Sequence, residues 1–219
     1  MPRLSDPLVV FFVAVVVALL GVELRQRILL VLAKPVATLS LIGVVLRGPP
    51  TVTVALVSLG LAFSVIGDTA LLSKSRAAFL VGLFAFLVAH LAYAAGFLWG
   101  EAAGPWWAPL VGIAIYGVGS AWLVRRMWGG LAPALRGPLV IYTACCTAMA
   151  ATALATVAGP WPVAASMAAA AGGALFFVSD ANLAWLDFVE PYPHGQTVTL
   201  SLYWTGQLAI AMAARWSSG

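Results

Sequence analysis

Four ionisable residues stand inside long apolar runs: Lys34, Asp68, His90 and Asp180. An acid or base in such a run costs roughly 2.5–3.5 kcal/mol on insertion scales, so each is a candidate for function. Tyr93, Tyr142, Ser179, Asn182, Tyr203 and Gln207 are polar neighbours in the same runs. Two carboxylates around one lipid-accessible pocket suit acid–base chemistry. A desolvated carboxylate holds a proton while its partner stays ionised. Such a pair protonates a substrate and then activates water, the division of labour used in hydrolysis through an oxocarbenium ion.

Other chemistries lack their residues. There is no Gly-x-Ser-x-Gly elbow and no His-Glu-x-x-His, which argues against a serine lipase and a zinc peptidase. Two histidines in all exclude a three-histidine metal site. A mixed site from His90, Asp68 and Asp180 stays open, although no cofactor is expected. Cys145 and Cys146 are adjacent in an apolar stretch. They make neither a structural staple nor a metal-binding pattern, and read as buried inert thiols.

The elements that position these residues follow from composition. The chain of 219 residues is 63% hydrophobic and 8% charged, against roughly 25% charged in a soluble domain. Lipid must cover so much apolar surface. Charges and Pro/Gly clusters cut the chain into eight apolar runs at roughly 7–22, 28–46, 52–72, 77–98, 106–124, 138–158, 162–186 and 197–214. The expectation is an all-α polytopic membrane protein of about eight transmembrane helices, residues 1–219 forming one integral membrane domain. Arg25 and Arg27 follow the first run, where a signal peptide would carry its charge in front, so that run is expected to be retained.

The net charge of +4 is spread over short connections, not gathered into a patch for nucleic acid. Arg25, Arg27, Lys74, Arg76, Arg125, Arg126 and Arg136 fall in alternate connections, while Arg3, Arg47 and Arg215 fall at the other end. Positive charge prefers the cytoplasmic side. Both termini are therefore expected outside a bacterial-type plasma membrane. Trp99, Trp106, Trp107, Trp128, Trp161 and Trp216 stand near helix ends, where interfacial anchors belong.

At 1.5 Å per residue, Lys34 and Asp180 lie about 9 Å and Asp68 about 6 Å from the cytoplasmic ends of their runs. Tyr142 and Tyr203 share that layer, with His90 and Gln207 deeper. The shared depth predicts one polar cavity in the cytoplasmic half. Pro35, beside Lys34, frees a backbone carbonyl that lipid cannot satisfy. Gly67-Asp68 and Ser179-Asp180 share a frame of small residue, Asp, two positions and Leu, in the third and seventh runs. That echo suggests two parallel four-helix repeats with the aspartates facing each other. The Ala/Gly stretch 164–174 would let helices approach closely there.

These motifs resemble a family. The pattern is Lys34-Pro35, Gly67-Asp68-x-x-Leu71, Phe79-x-x-Gly82 leading to His90-x-x-Tyr93, and Pro138-x-x-Tyr142. It continues in Gly173-Ala-Leu-Phe-Phe-Val-Ser-Asp-Ala-Asn-Leu-Ala184 and Tyr203-Trp-x-x-Gln207-Leu208. From the second run to the eighth it is similar to the YhhN-like lysoplasmalogenases, eight-helix membrane proteins. The resemblance implies hydrolysis of the vinyl ether bond of a lysoplasmalogen, giving a fatty aldehyde and a glycerophospho-head group. It implies Asp68 and Asp180 as the catalytic pair and Lys34 as a point charge for the lipid phosphate. His90, Tyr93, Tyr142, Ser179, Asn182, Tyr203 and Gln207 would orient head group, water and carboxylates. The implied partner is a lysophospholipid drawn from the bilayer. A hydrolase of another lyso-lipid and a proton-coupled transporter are the rivals, and a transporter would need access from both sides.

Overall fold

A computed structural model describes residues 5–73, 75–99 and 104–217. Lys74 and Arg3 of the charge argument lie outside them. The described residues form eight α-helices and no strand: α1 Pro7–Glu23, α2 Arg27–Val45, α3 Val52–Ala70, α4 Arg76–Leu98, α5 Ala108–Met127, α6 Pro133–Ala155, α7 Val163–Phe188 and α8 Gly195–Trp216. A short 3-10 turn, Thr156–Ala158, extends α6.

Local chemistry sets the helix ends. Asp6, Thr51 and Ser75 cap α1, α3 and α4 by accepting backbone N–H bonds. Proline opens α5 and α6, where its missing N–H costs nothing. That explains the one large boundary difference. α6 begins at Pro133, five residues before the expected start, and Pro138 is carried inside the helix. α2 likewise continues through Pro35.

Helices α2 to α7 are each long and apolar enough to cross a membrane, and α1 is a shorter apolar helix of 17 residues. α8 is long but more polar. Its buried face carries Thr199, Tyr203 and Gln207, which meet protein and not lipid. This is a polytopic membrane protein whose most central polar helix is shielded by the others.

Neighbouring helices pair as hairpins, α1 with α2, α3 with α4, α5 with α6 and α7 with α8. Across the hairpins, α2 packs on α3 and α8, and α6 packs on α7 and α4. Counting α1–α4 and α5–α8 as two halves, these contacts correspond one to one. The α7–α8 pair is drawn in by glycine. A Cβ on Gly172 would meet the Ile210 backbone nitrogen at 2.8 Å, and one on Gly206 would meet the Phe176 nitrogen at 2.9 Å. Backbone cannot yield as a side chain can, so both positions require glycine.

Contacts between connections sort the two ends of the bundle. Arg47 pairs with Asp6 at 2.9 Å and Gly48 abuts Arg215, so the connection α2–α3 lies with both terminal helix ends. The Arg47 guanidinium holds the Asp6 carboxyl below the ordinary carboxylate range. At the opposite end His194 Nδ1 and the Thr197 hydroxyl meet Glu23, and Arg27 donates to the Leu72 carbonyl. Trp99, Trp106, Trp107, Trp128 and Trp216 are exposed near helix ends. Trp161 is different: it is buried and packs on Phe97, ring centroids 6.0 Å apart, so it braces the bundle and does not anchor it.

Candidate active site

The polar side chains of the sequence collect into two clusters, one around each aspartate. Asp68, on α3, is 1% exposed and pairs through Oδ1 with Lys34 Nζ of α2 at 3.2 Å. Its Oδ2 accepts from Thr38 Oγ1 at 2.6 Å and from Tyr203 OH of α8 at 2.8 Å. Behind Tyr203 the bonds continue inward. Gln207 Nε2 donates to Tyr203 OH at 3.2 Å and to Ser64 Oγ at 3.0 Å, and Tyr93 OH donates to Gln207 Oε1 at 2.7 Å. Every neighbour of Asp68 is a cation or a hydroxyl donor. The arrangement stabilises a carboxylate.

Asp180, on α7, is 14% exposed and keeps different company. Its Oδ2 lies 3.2 Å from His90 Nε2 of α4, a fully buried ring. Tyr142 OH and Cys146 Sγ, both on α6, donate to the same oxygen at 2.7 and 3.3 Å. His90 Nδ1 lies 2.6 Å from the Phe86 carbonyl. A carbonyl only accepts, so Nδ1 carries a proton. Phe176 meets the His90 ring edge-on at 4.7 Å between centroids and fixes its plane.

Both clusters face one cavity of about 750 Å³. Lys34, Asp68, Tyr203, Tyr142, Cys146 and Asp180 form its polar end, and Leu71, Phe79, Leu83, Leu139, Phe177 and Leu183 line apolar wall. The mouth carries Ser73, Asp187, Tyr192 and Gln196. These belong to the end that holds Arg25, Arg27, Arg76, Arg125, Arg126 and Arg136. A long apolar wall leading to two carboxylates, one beside a lysine and one beside an imidazole, suits an amphiphile that reacts near its polar head.

The expected residues thus divide. Lys34, Asp68, Tyr142, Asp180 and Tyr203 border the cavity, as does Ser179; His90 lies directly behind Asp180, and Tyr93 and Gln207 lie behind Tyr203. Ser179 and Asn182 work on the backbone. Ser179 Oγ donates to the Thr199 carbonyl at 2.9 Å, and Asn182 Nδ2 donates to Thr199 Oγ1 at 2.8 Å and to the Gly195 carbonyl at 3.2 Å. Together they fasten α8 to α7. Lys34 is engaged by Asp68. The mixed metal set is corrected by geometry: His90 and Asp180 do meet, but their third neighbour is Cys146 and not Asp68.

Thr38 and Ser64 take part without having been singled out, and Cys146, expected to be a buried inert thiol, is buried but bonds to Asp180. Each stands one helical turn from a residue that was singled out: Thr38 from Lys34, Ser64 from Asp68, Cys146 from Tyr142. Spacing of four on one helix face was the available signal.

A helical membrane bundle with two converging carboxylate centres defines the class. The chain belongs to the YhhN family, whose model matches residues 29–214. It is similar to lysoplasmalogenase TMEM86A of Bos taurus, 31% identical over 160 residues, covering 71% of this chain and 63% of that protein. It is also similar to human lysoplasmalogenase TMEM86B, 31% identical over 152 residues, covering 69% of this chain and 59% of that protein. The match therefore spans less than two thirds of either relative. No solved structure matches the chain.

Proposed function

We propose that the protein is a membrane-embedded hydrolase that cleaves the vinyl ether bond of lysoplasmalogens. Support comes from the two aspartates meeting one cavity in contrasting surroundings, and from relatives that bear the name lysoplasmalogenase. In this mechanism the Asp180–His90 pair is the acid. Its proton passes to the vinyl carbon remote from oxygen as the double bond's electrons form the new C–H bond. The ether oxygen then shares its lone pair with the adjacent carbon, giving an oxocarbenium ion. Asp68, partnered by Lys34, Thr38 and Tyr203, stabilises that cation and takes a proton from the water that adds to it. As the hemiacetal collapses, its hydroxyl proton returns to the Asp180–His90 pair and Asp68 gives the proton it took to the glycerol oxygen, which departs as an alcohol. One water is consumed, and aldehyde and glycerophospho-head group are released.

The cytoplasmic leaflet supplies the substrate through the mouth of the cavity. The excess of arginine at the mouth's end supports that orientation. Beyond the polar end of the cavity the bundle is packed by Leu41, Val57, Leu61, Phe97, Trp161 and Ile210, which favours an enzyme over a through-going transporter.

The test is aldehyde release from a lysoplasmalogen by purified, detergent-solubilised protein beside Asp68→Asn and Asp180→Asn. General acid–base groups contribute about 10²–10⁴-fold, so each variant should lose at least about 100-fold in kcat while remaining helical and monodisperse. Near-normal rates in both variants would refute the mechanism. An inactive wild-type protein that remains folded would refute the substrate and move attention to other lyso-lipids.

A further inference from the structure

Cys146 has no part in the proposed reaction, yet it is buried against the acid pair. The distances among His90 Nε2, Asp180 Oδ2 and Cys146 Sγ are 3.2 Å between nitrogen and oxygen, 3.6 Å between sulfur and nitrogen, and 3.3 Å between sulfur and oxygen. Zinc binds nitrogen and oxygen at about 2.0 Å and sulfur at about 2.3 Å in a tetrahedron. Those bonds imply ligand separations of about 3.3 Å for the nitrogen–oxygen edge and about 3.5 Å for each sulfur edge. The three observed separations are edges of that tetrahedron to within about 0.2 Å. We propose that His90, Cys146 and Asp180 form a binding site for one divalent ion of the zinc class, with the fourth position open to the cavity.

Three further features suit an ion. The ligands come from α4, α6 and α7, three helices fixed by packing, so the site is held before the ion arrives. His90 already donates its other ring N–H to the Phe86 carbonyl, the outer contact that orients a metal-bound imidazole and sharpens its lone pair. Asp180 and Cys146 border the cavity, giving an entry path.

Charge also balances. A Cys146 thiolate and the Asp180 carboxylate carry two negative charges and a neutral imidazole none, so a divalent ion bound by all three leaves the site neutral, which matters in a low-dielectric interior where an uncompensated charge is expensive.

The test is read without substrate, so it stands or falls separately from the hydrolase proposal. Untagged full-length protein in detergent is titrated with Co²⁺. The expected result is one Co²⁺ per chain, a thiolate-to-cobalt charge-transfer band and displacement by Zn²⁺. Cys145→Ala should keep the band. Cys146→Ser and Cys146→Ala should lose it. His90→Gln should weaken the affinity by more than about 100-fold, since loss of an outer contact alone costs about 10–100-fold. Circular dichroism checks that each variant is folded. No band at stoichiometric Co²⁺ in folded wild type, or a band that survives in either Cys146 variant, would overturn the proposal.

Discussion

The aspartates of α3 and α7 occupy corresponding places in the two halves of the bundle, and the side chains around them differ in kind. Each follows a small residue, Gly67 or Ser179. Each is met by two side chains one turn apart on the preceding helix: Lys34 and Thr38 on α2 for Asp68, Tyr142 and Cys146 on α6 for Asp180. Each is completed by one ring from the last helix of the opposite half, Tyr203 of α8 for Asp68 and His90 of α4 for Asp180. The frame is shared while the chemistry is not. A lysine and two hydroxyls surround one carboxylate; a histidine, a phenol and a thiol surround the other. Similar packing thereby sets two carboxylates in unlike company beside one cavity.

The largest effects should fall on turnover, and they can break this comparison. If His90 and Asp180 act as one acid, His90→Gln should cost about as much as Asp180→Asn, within the 10²–10⁴-fold range of acid–base groups. The double variant should be little worse than either alone, because residues acting as a unit are not additive. Pairing His90→Gln with Asp68→Asn should instead compound the losses. Single-turnover aldehyde release on the three single and two double variants measures both. Multiplicative losses in the His90–Asp180 pair would separate the imidazole from the acid.

The next effect falls on stability. Lys34 is 12% exposed and Asp68 1%, so Lys34→Met leaves a carboxylate buried without its cation. Breaking a buried pair from one side costs about 3–5 kcal/mol. Removing both charges, in Lys34→Met with Asp68→Asn, should recover most of that loss. His90→Gln should cost less, about 1–3 kcal/mol, because Tyr142 and Cys146 still serve Asp180. Reversible denaturation in mixed micelles ranks the three. Equal losses for Lys34→Met and His90→Gln would mean that the two centres are electrostatically alike.

Much of this contrast was legible in the sequence, because a charge in an apolar run is too costly to be incidental. Lys34, Asp68, His90 and Asp180 announce themselves by type, and their common depth pointed to one cavity. The pairings were not legible. Depth along a helix says nothing of azimuth, so the pairing of Lys34 with Asp68 could not be read from it. Cys146 is apolar enough to pass as core, and Thr38 and Ser64 satisfy themselves in many helices. The correspondence of helix contacts between the halves left only a short echo in the sequence, since the side chains around the two aspartates differ in kind. Trp161 misled because a tryptophan near a helix end serves an interface or a core equally well.

The smallest effect tests how each half seats its aspartate. A Cβ added at Gly67 would lie 2.6 Å from the Phe86 ring. Phe86 meets Tyr203 edge-on at 5.9 Å and its carbonyl holds His90, so moving it disturbs both centres. Overpacking of this kind costs about 1–3 kcal/mol. Ser179, the counterpart of Gly67, joins α7 to α8 by a hydrogen bond to the Thr199 carbonyl. Ser179→Ala gives up that bond, worth about 0.5–1.5 kcal/mol, and leaves the packing intact. Gly67→Ala should therefore lower both the melting temperature and kcat, whereas Ser179→Ala should lower only the melting temperature, and by less. Paired thermal and kinetic measurements decide it. The reverse order would mean that the hydrogen bond to α8, and not the close contact of α3 with α4, sets the position of the two carboxylates.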